Sequence, residues 1–269
     1  MPRLAAAVFV LALTTAAGPA LAAPADVVRY EKTFPATGRP ALILQADDAS
    51  VHVTTWDRPA VGIRVTTRGW SLGAPAITVN ASQSGDRVLC EVREPHRAVS
   101  FTIGARTTRV DVSLPRDADL DVSTGDGAIE AEGLRGDLRL TTGDGRIRAW
   151  DLDGALVARS GDGSLTLDGR FDRLEVGTSD GRVTVTAREG SRLASAWDLH
   201  SGDGSLTLRV PSTLRADVDL HTGDGNLQVD LPVEVSGRMQ HHSVFGRMNG
   251  GGPLLRMRSG DGSIRLERL

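Results

Sequence analysis

RSGDGSLTL, residues 159–167, is one of seven closely similar stretches in the second half of this 269-residue chain. The others are STGDGAIEA (123–131), TTGDGRIRA (141–149), GTSDGRVTV (177–185), HSGDGSLTL (200–208), HTGDGNLQV (221–229) and RSGDGSIRL (258–266). Their central aspartates are Asp126, Asp144, Asp162, Asp180, Asp203, Asp224 and Asp261; the first three intervals are 18 residues each, and the later ones are 23, 21 and 37. A near-constant period of this kind predicts stacked structural repeats.

Each repeat carries a short strand pattern on either side of its Gly-Asp-Gly turn. After the turn, apolar and polar residues alternate, as Leu165 and Leu167 do around Thr166. The polar positions of this strand are Glu130, Arg148, Thr166, Thr184, Thr207, Gln228 and Arg265. Side chains of a strand point alternately to its two faces, so each strand is expected to bury one face and to expose the other. Helical periodicity is scarce, and the pattern predicts an all-β chain.

The repeat leaves two topologies open. Residues 143–160 read as the turn GDG, the strand RIRAW, a second turn DLDG (151–154) and the strand ALVARS. Asp-Gly between alternating strands is a strong hairpin signal, because glycine accepts positive φ, and this favours an antiparallel meander. A unit of two strands and two turns fits a β-coil, one turn of a solenoid, equally well. Periodicity alone does not choose between them.

The chain divides into three segments. Residues 1–22 resemble a secretory signal peptide, with Arg3, an apolar run and the small-residue pattern Ala20-Leu21-Ala22. Residues 23–120 are β-rich but irregular and include ADDASVHV (46–53), a degenerate relative of the repeat. Residues 121–269 hold the Gly-Asp-Gly repeats. The sequence thus predicts an exported protein that resides in the periplasm, at the cell surface or outside the cell.

Composition excludes several classes of protein. The formal net charge is −3, and no basic patch points to nucleic acid. Beyond residue 22 no run approaches the ~20 apolar residues of a membrane-spanning helix, so no transmembrane segment is expected in the mature chain. Cys90 is the single cysteine, which excludes an internal disulfide, and its alternating neighbours predict a small buried strand residue.

A set of motifs resembles the putative-adhesin family of bacterial exported β-strand-repeat domains. The set comprises Trp56-Asp57, the segment VSLPRDADLDVSTGDG (112–127) and a closing NGGG turn (249–252), and the resemblance covers roughly residues 36–269. Function in this family is largely unknown. The resemblance implies a β-solenoid, similar to a single-stranded right-handed β-helix, with coils of about 18 residues and two strands each. It implies no catalytic or binding residue.

The seven aspartates are the first candidate site. Calcium β-rolls place carboxylates at glycine-rich corners, and a column of carboxylates repels itself unless cations or hydrogen bonds offset the charge. The spacing here differs from the nonapeptide period of those proteins. We therefore interpret the seven aspartates as turn-forming residues whose oxygens accept backbone amides. No cofactor is expected under this interpretation, and calcium bound by the same seven residues is the alternative.

Other candidate sites are weaker. A sugar-cleaving β-helix needs two carboxylates with different pKa values, but each repeat offers the same environment, so no enzyme is expected. His200 and His221 occupy equivalent positions in successive repeats and could stack, with His241 and His242 nearby; they are too few for a zinc site and are interpreted as surface residues.

The outward polar residues give the function hypothesis. Thr166, Thr184 and Thr207 form a row of hydroxyls, interrupted by charged positions such as Arg148 and Glu130, which predict cross-strand ion pairing. Such a face suits a glycan or another protein. The sequence predicts a non-enzymatic exported envelope protein, an adhesin-like binding or structural module. A calcium-stabilised β-roll surface module is the alternative, and a carbohydrate-active β-helix enzyme is a third, less favoured hypothesis.

Overall fold

The computed structural model describes residues 26–69, 77–95, 106–235 and 242–269. The predicted signal peptide lies outside these residues. Within them the chain forms strands and turns, and no helix long and apolar enough to cross a membrane occurs. The all-β prediction is confirmed.

Twenty-one strands follow one another along the described chain. They are β1 (Val27–Pro35), β2 (Ala41–Ala46), β3 (Ser50–Thr55), β4 (Ala60–Arg68), β5 (Thr78–Ser84), β6 (Arg87–Arg93), β7 (Thr107–Leu114), β8 (Asp119–Thr124), β9 (Ile129–Glu132), β10 (Arg135–Thr142), β11 (Ile147–Arg159), β12 (Leu165–Thr178), β13 (Val183–Ala187), β14 (Trp197–Ser201), β15 (Leu206–Val210), β16 (Ala216–Thr222), β17 (Leu227–Val229), β18 (Val233–Val235), β19 (Ser243–Met248), β20 (Leu254–Ser259) and β21 (Ile264–Arg268).

The strands form the two faces of a β-solenoid. Face A consists, in spatial order, of β5, β6, β2, β8, β10, the second halves of β11 and β12, β14, β20, β16, β19 and β18. Face B consists of β1, β4, β7, β3, β9, the first halves of β11 and β12, β13, β15, β21 and β17. A coil is one strand of face A, a Gly-Asp-Gly corner and one strand of face B.

The pairing decides the topology in favour of the coil. Ile147 on β11 lies in parallel register with Ile129 on β9 and with Leu165 on β12. Each repeat therefore pairs with its neighbours one coil away, whereas a meander would pair strands antiparallel across each Gly-Asp-Gly turn. Among the residues described, antiparallel pairs occur only near the two ends, in β1–β4–β7 and β5–β6, and in β16–β19–β18.

The core lies between the faces as columns of aliphatic side chains. Leu165 and Leu167 are buried as the alternation predicted, and so are their counterparts in most coils. At β17, by contrast, Leu227 and Val229 are only half buried, because this strand is the last of face B. Large aromatic groups are rare inside; Phe171 and Trp197 meet edge to face with ring centroids 6.5 Å apart.

The second turn of the repeat differs from the prediction. DLDG (151–154) is not a separate turn, because β11 runs without interruption from face B to face A. Its register shifts between Ala149 and Leu152, and Asp151 has φ 53°. A bulge with one left-handed residue thus bends the strand around this corner.

The order of the coils also departs from the order of the repeats. The last coil, β20–β21, lies between β14–β15 and β16–β17, although it follows both in the chain. The other end mirrors this arrangement, since β2–β3 lies between β6–β7 and β8–β9. Both the first and the last coil of the described chain are therefore paired on two sides, and the irregular amino-terminal part is continuous with the repeats.

Candidate functional site

A ladder of buried hydroxyls holds the Gly-Asp-Gly corners together. The residue directly before each triad is serine or threonine and is buried, and we call this set the hydroxyl ladder: Thr124, Thr142, Ser160, Thr178, Ser201, Thr222 and Ser259. The Oγ1 atom of Thr142 lies 2.9 Å from the carbonyl oxygens of both Gly125 and Gly127, one coil away. The amide of Gly163 donates in turn to Ser160 Oγ at 3.0 Å. In five of the repeats the hydroxyl thus joins its own turn to the neighbouring coil.

The second glycine of each triad is required by stacking and not by its backbone angles. None of the seven triads contains a glycine with positive φ, in contrast to the hairpin interpretation. A Cβ atom placed on Gly145 would lie far inside contact distance of the carbonyl oxygen of Gly127. The same clash arises at the equivalent glycine of every repeat, because the corners of adjacent coils almost touch.

The aspartates form an exposed column, which we call the corner row. In spatial order it runs Asp48, Asp126, Asp144, Asp162, Asp180, Asp203, Asp261 and Asp224, and the seven of the repeats are all exposed. Within the described chain no carboxylate of those seven accepts a hydrogen bond; only Asp48 does, from the amide of Asp126 at 3.3 Å. The turn amides that we expected at these carboxylates donate instead to the hydroxyl ladder and to backbone carbonyl oxygens of the neighbouring coil.

Metal ligation by the corner row stays a prediction. Among the residues described, no three side chains of histidine, cysteine, aspartate or glutamate converge as a metal site would require. Each coil contributes one carboxylate to the row, and adjacent coils stack at about 4.8 Å. The calcium alternative therefore rests on the alignment of these side chains and is tested below.

The histidines are not stacked on one another. Arg258 lies between His200 and His221, because β20 separates β14 from β16. The imidazole of His242 ends the hydroxyl ladder: its Nδ1 lies 3.2 Å from the carbonyl oxygen of Gly225, where another coil would place a hydroxyl. His241 lies outside the described residues.

The outer surface of face B carries rows of polar side chains in register. One row begins with alternating charges: Glu31, Arg64, Asp111, His52, Glu130 and Arg148. Arg148 lies 3.8 Å from Glu130, which confirms the predicted cross-strand pairing. The row continues with Thr166, Thr184 and Thr207 on neighbouring strands, so the predicted hydroxyl row is also confirmed.

Trp150 was missed by the sequence reasoning. It lies on the outer surface of face B with 37% of its surface exposed, and its indole N–H donates to Glu132 Oε2 at 2.9 Å. Its position in the neighbouring strands is taken by polar residues: Thr54, Glu132, Asp168, Thr186, Arg209 and Glu267. The detectable signal was a single aromatic residue in an otherwise polar column.

A charged network adjoins Trp150. The carboxylate of Asp151 lies 2.9 Å from Arg116 Nη1 and 3.1 Å from Arg188 Nη1, and Arg188 also pairs with Asp168. The hydrogen bond from Arg116, with the charges of both arginines, lowers the pKa of Asp151. The hydrogen bond that Arg188 donates to Asp168 raises the pKa of Arg188. Side chains from three coils are thereby joined at this corner.

Face A carries ion pairs and shallow depressions on its outer surface. Asp219 is buried between Arg258, 3.2 Å away, and Arg256, 3.5 Å away. A depression of about 410 Å³ has Ile43 and Val157 among its lining residues. Inside face A, Cys90 is buried as predicted, and burial raises the pKa of its thiol to about 11.

Comparison with known proteins gives a family match and weak structural similarities. The Toastrack DUF4097 family profile matches residues 49–267. No curated protein matches the sequence. A putative cell adhesion protein from Clostridium sporogenes ATCC 15579 is 11% identical with a TM-score of 0.39, over 91% of this chain and 100% of that one.

Two further solved structures are similarly distant. A putative adhesin from Bacteroides fragilis NCTC 9343 is 10% identical with a TM-score of 0.43, over 91% of this chain and 99% of that one. A putative lipid binding protein from Parabacteroides distasonis ATCC 8503 is 13% identical with a TM-score of 0.44, over 88% of this chain and 96% of that one.

Proposed function

The chain belongs to the Toastrack DUF4097 family, and on that premise we propose that it is a non-enzymatic exported binding or structural module of the cell envelope. The family assignment agrees with the resemblance to putative adhesins noted from the sequence. In this proposal the solenoid core serves as a scaffold, and the outer faces carry the function.

The outer surface of face B is the observation that carries the proposal. Its strands present polar side chains in register across many coils, with the threonine row Thr166, Thr184 and Thr207 beside the ion pair of Arg148 and Glu130. A regular, exposed and polar surface of this length can bind a partner along several coils at once, and many weak contacts then add up to useful affinity.

The proposal that the protein is not an enzyme rests on the uniform chemistry of the repeats. General acid and base catalysis needs two groups whose environments set their pKa values apart. In the described chain the carboxylates with a shifted pKa, Asp26 and Asp151, are both surface partners of arginines. A reproducible turnover of any envelope polysaccharide, abolished by a single aspartate substitution, would overturn this part of the proposal.

Export is tested by following the amino terminus in the producing cell. We expect a mature chain that starts near Ala23 and is found outside the cytoplasm, as measured by fractionation and mass spectrometry of the intact protein. A matched variant with Leu11→Arg and Leu13→Arg in the apolar run should remain unprocessed inside the cell. Equal fractionation of both chains would contradict export by this segment.

Envelope binding is tested with the purified chain and isolated cell envelopes. We expect saturable co-sedimentation that decreases when both neighbouring threonines, Thr166 and Thr184, are replaced by arginine. Replacement of the exposed face A residue Leu89 by arginine is the control, since it leaves face B unchanged. Binding that is absent, or equal in all three chains, would contradict the proposed use of face B.

A second candidate function is a calcium-stabilised surface module. The observation in its favour is the corner row, in which the seven exposed carboxylates of the repeats are aligned and accept no hydrogen bond from the described chain. Calcium bound there would offset their repulsion and couple folding to export into a calcium-rich medium. The measurement that separates this candidate from the first is given in the Discussion.

A further inference from the structure

We infer that Trp150 and the polar groups around it form a binding platform for a neutral, ribbon-like glycan built from β-linked pyranoses. The inference rests on the proposed function, because it names the ligand class and the place on face B where the module would bind. Its parts are Trp150, Glu132, Arg148, Thr166, Asp168 and Arg188.

The first argument is that the fold does not need an aromatic residue at this position. The same column holds polar residues in β9, β13, β15 and β21, and each of those strands pairs in regular register. Trp150 nevertheless exposes 37% of its surface. Tryptophan is enriched at binding interfaces, so an exposed indole in an otherwise polar column favours a binding role.

The second argument is that the ring is held in place before a ligand arrives. The indole N–H donates to Glu132 Oε2 on the adjacent strand, and the backbone carbonyl of Trp150 accepts from the amide of Gly133. A pre-positioned side chain loses less conformational entropy on binding. The indole donor is already satisfied, so the part of Trp150 that remains for a ligand is the apolar ring surface.

The third argument concerns the polar side chains near the indole ring. Thr166, Asp168 and Arg188 supply hydroxyl, carboxylate and guanidinium groups close to the platform. A pyranose with equatorial hydroxyls has the matching arrangement, a flat C–H surface for the aromatic ring and hydroxyls at its rim for polar groups. A protein partner would require apolar neighbours that seal the tryptophan from water, and the described neighbours are polar.

The fourth argument is electrostatic and concerns the charge of the ligand. The charges around Trp150 are largely neutralised in pairs, with Arg148 beside Glu130 and with Asp151 between Arg116 and Arg188. A surface without a strong field of one sign does not favour a polyanion or a polycation. An uncharged ligand fits this balance, and the flat sheet suits an extended chain.

The experiment compares four chains on chitin and cellulose. We expect the unaltered chain to bind at least one of these two polymers in a sedimentation assay. Trp150→Ala should weaken that binding at least tenfold, whereas Trp150→Phe should retain part of it because an aromatic ring remains. Phe245→Ala is the matched control, since Phe245 is an aromatic residue on face A that exposes even more of its surface, 49%. Circular dichroism of each variant verifies that the solenoid is folded.

Each other outcome has a defined meaning. Failure of the unaltered chain to bind either polymer would overturn the inference, while saturable binding to isolated envelopes would leave the proposed function intact. Equal loss in the Trp150→Ala and Phe245→Ala variants, or loss in the latter only, would also overturn the platform. Loss of envelope binding after protease treatment of the envelopes, together with no binding to the two polymers, would indicate a protein partner instead.

Discussion

The buried hydroxyl of Thr142 lies 2.9 Å from the carbonyl oxygen of Gly127, one coil away, and this contact recurs along the solenoid. It connects two of the residue types that each repeat retains at its corner, a serine or threonine and the second glycine. The hydroxyl reaches the next coil because Gly145, the second glycine of its own repeat, has no side chain in between. Hydrogen bonds between the backbone and the buried hydroxyl therefore hold the corner together, and the exposed aspartate takes no part in them.

Thr142→Val should destabilise the protein by about 1–3 kcal/mol, because the isosteric methyl group leaves buried carbonyl groups without their donor. The control is Thr166→Val on the outer surface of face B, which removes an exposed hydroxyl and should change stability little. Chemical denaturation followed by circular dichroism measures both free energies of unfolding. Equal stability of the two variants would contradict the structural role of the hydroxyl ladder.

Gly145→Ser should be far more damaging than Gly161→Ser. A Cβ on Gly145 meets the backbone of the next coil well inside contact distance, whereas the equivalent of Gly161 in another repeat is already a serine, Ser179. A Cβ on Gly161 would lie 2.7 Å from the carbonyl oxygen of Gly143, a milder clash with the neighbouring backbone than the one at Gly145.

We expect Gly145→Ser to cost about 3 kcal/mol or more, as overpacking against rigid backbone does. Gly161→Ser should cost clearly less. Thermal unfolding gives the melting temperatures of the two variants. A lower melting temperature for Gly161→Ser than for Gly145→Ser would refute the stacking explanation.

Replacing Asp144, Asp162 and Asp180 together by asparagine should raise the melting temperature in EDTA at low salt. The three carboxylates are exposed and aligned on adjacent coils, so their mutual repulsion is removed. The gain should shrink at high ionic strength, because salt screens exposed charges.

The same variant separates the calcium candidate from the first. A rise of many degrees for the unaltered chain in millimolar calcium, absent from the variant, would assign the corner row to calcium. No rise in either chain would leave these aspartates as exposed residues of the corner.

The spatial order of the coils can be tested by cross-linking in a Cys90→Ala background. Thr207 and Arg265 are direct neighbours on parallel strands, about 4.8 Å apart, which a disulfide can span. Thr207→Cys with Arg265→Cys should therefore oxidise to an internal disulfide. Thr207→Cys with Gln228→Cys should not, because β21 separates these positions. Mass spectrometry after oxidation detects the disulfide. A disulfide only in the second pair would show that the coils stack in the order of the sequence, with β15 next to β17.

Stability should decline at high pH through Cys90. Burial raises the pKa of its thiol to about 11, so the folded chain resists loss of the thiol proton that the unfolded chain gives up more readily. This contribution is fully present below pH 9 and is lost as the pH rises towards 11. Cys90→Ala should remove that part of the pH dependence in denaturation curves at pH 8 and pH 10.5. An unchanged pH profile would indicate a thiol that is accessible to water.

Local patterns in the sequence predicted the all-β class, the inward-facing residues and the threonine row, because alternation along a strand fixes which side chains share a face. The pairing of Arg148 with Glu130 followed from the same period. The exposed Trp150 could have been noticed as an exception within its column. The hydrogen bond from its indole to Glu132 could be predicted only by knowing which strands are neighbours.

The sequence by itself determined the repeat, its period and the two apolar strand faces, because these depend on residues that are close together in the chain. Only the tertiary structure decided that the coils stack in parallel and that the last coil lies between two earlier ones. Strand order depends on pairings between distant residues, and near-identical repeats offer nearly identical edges to one another. The hydroxyl ladder could not be predicted for the same reason, since Thr142 contacts Gly127 only when two coils are stacked.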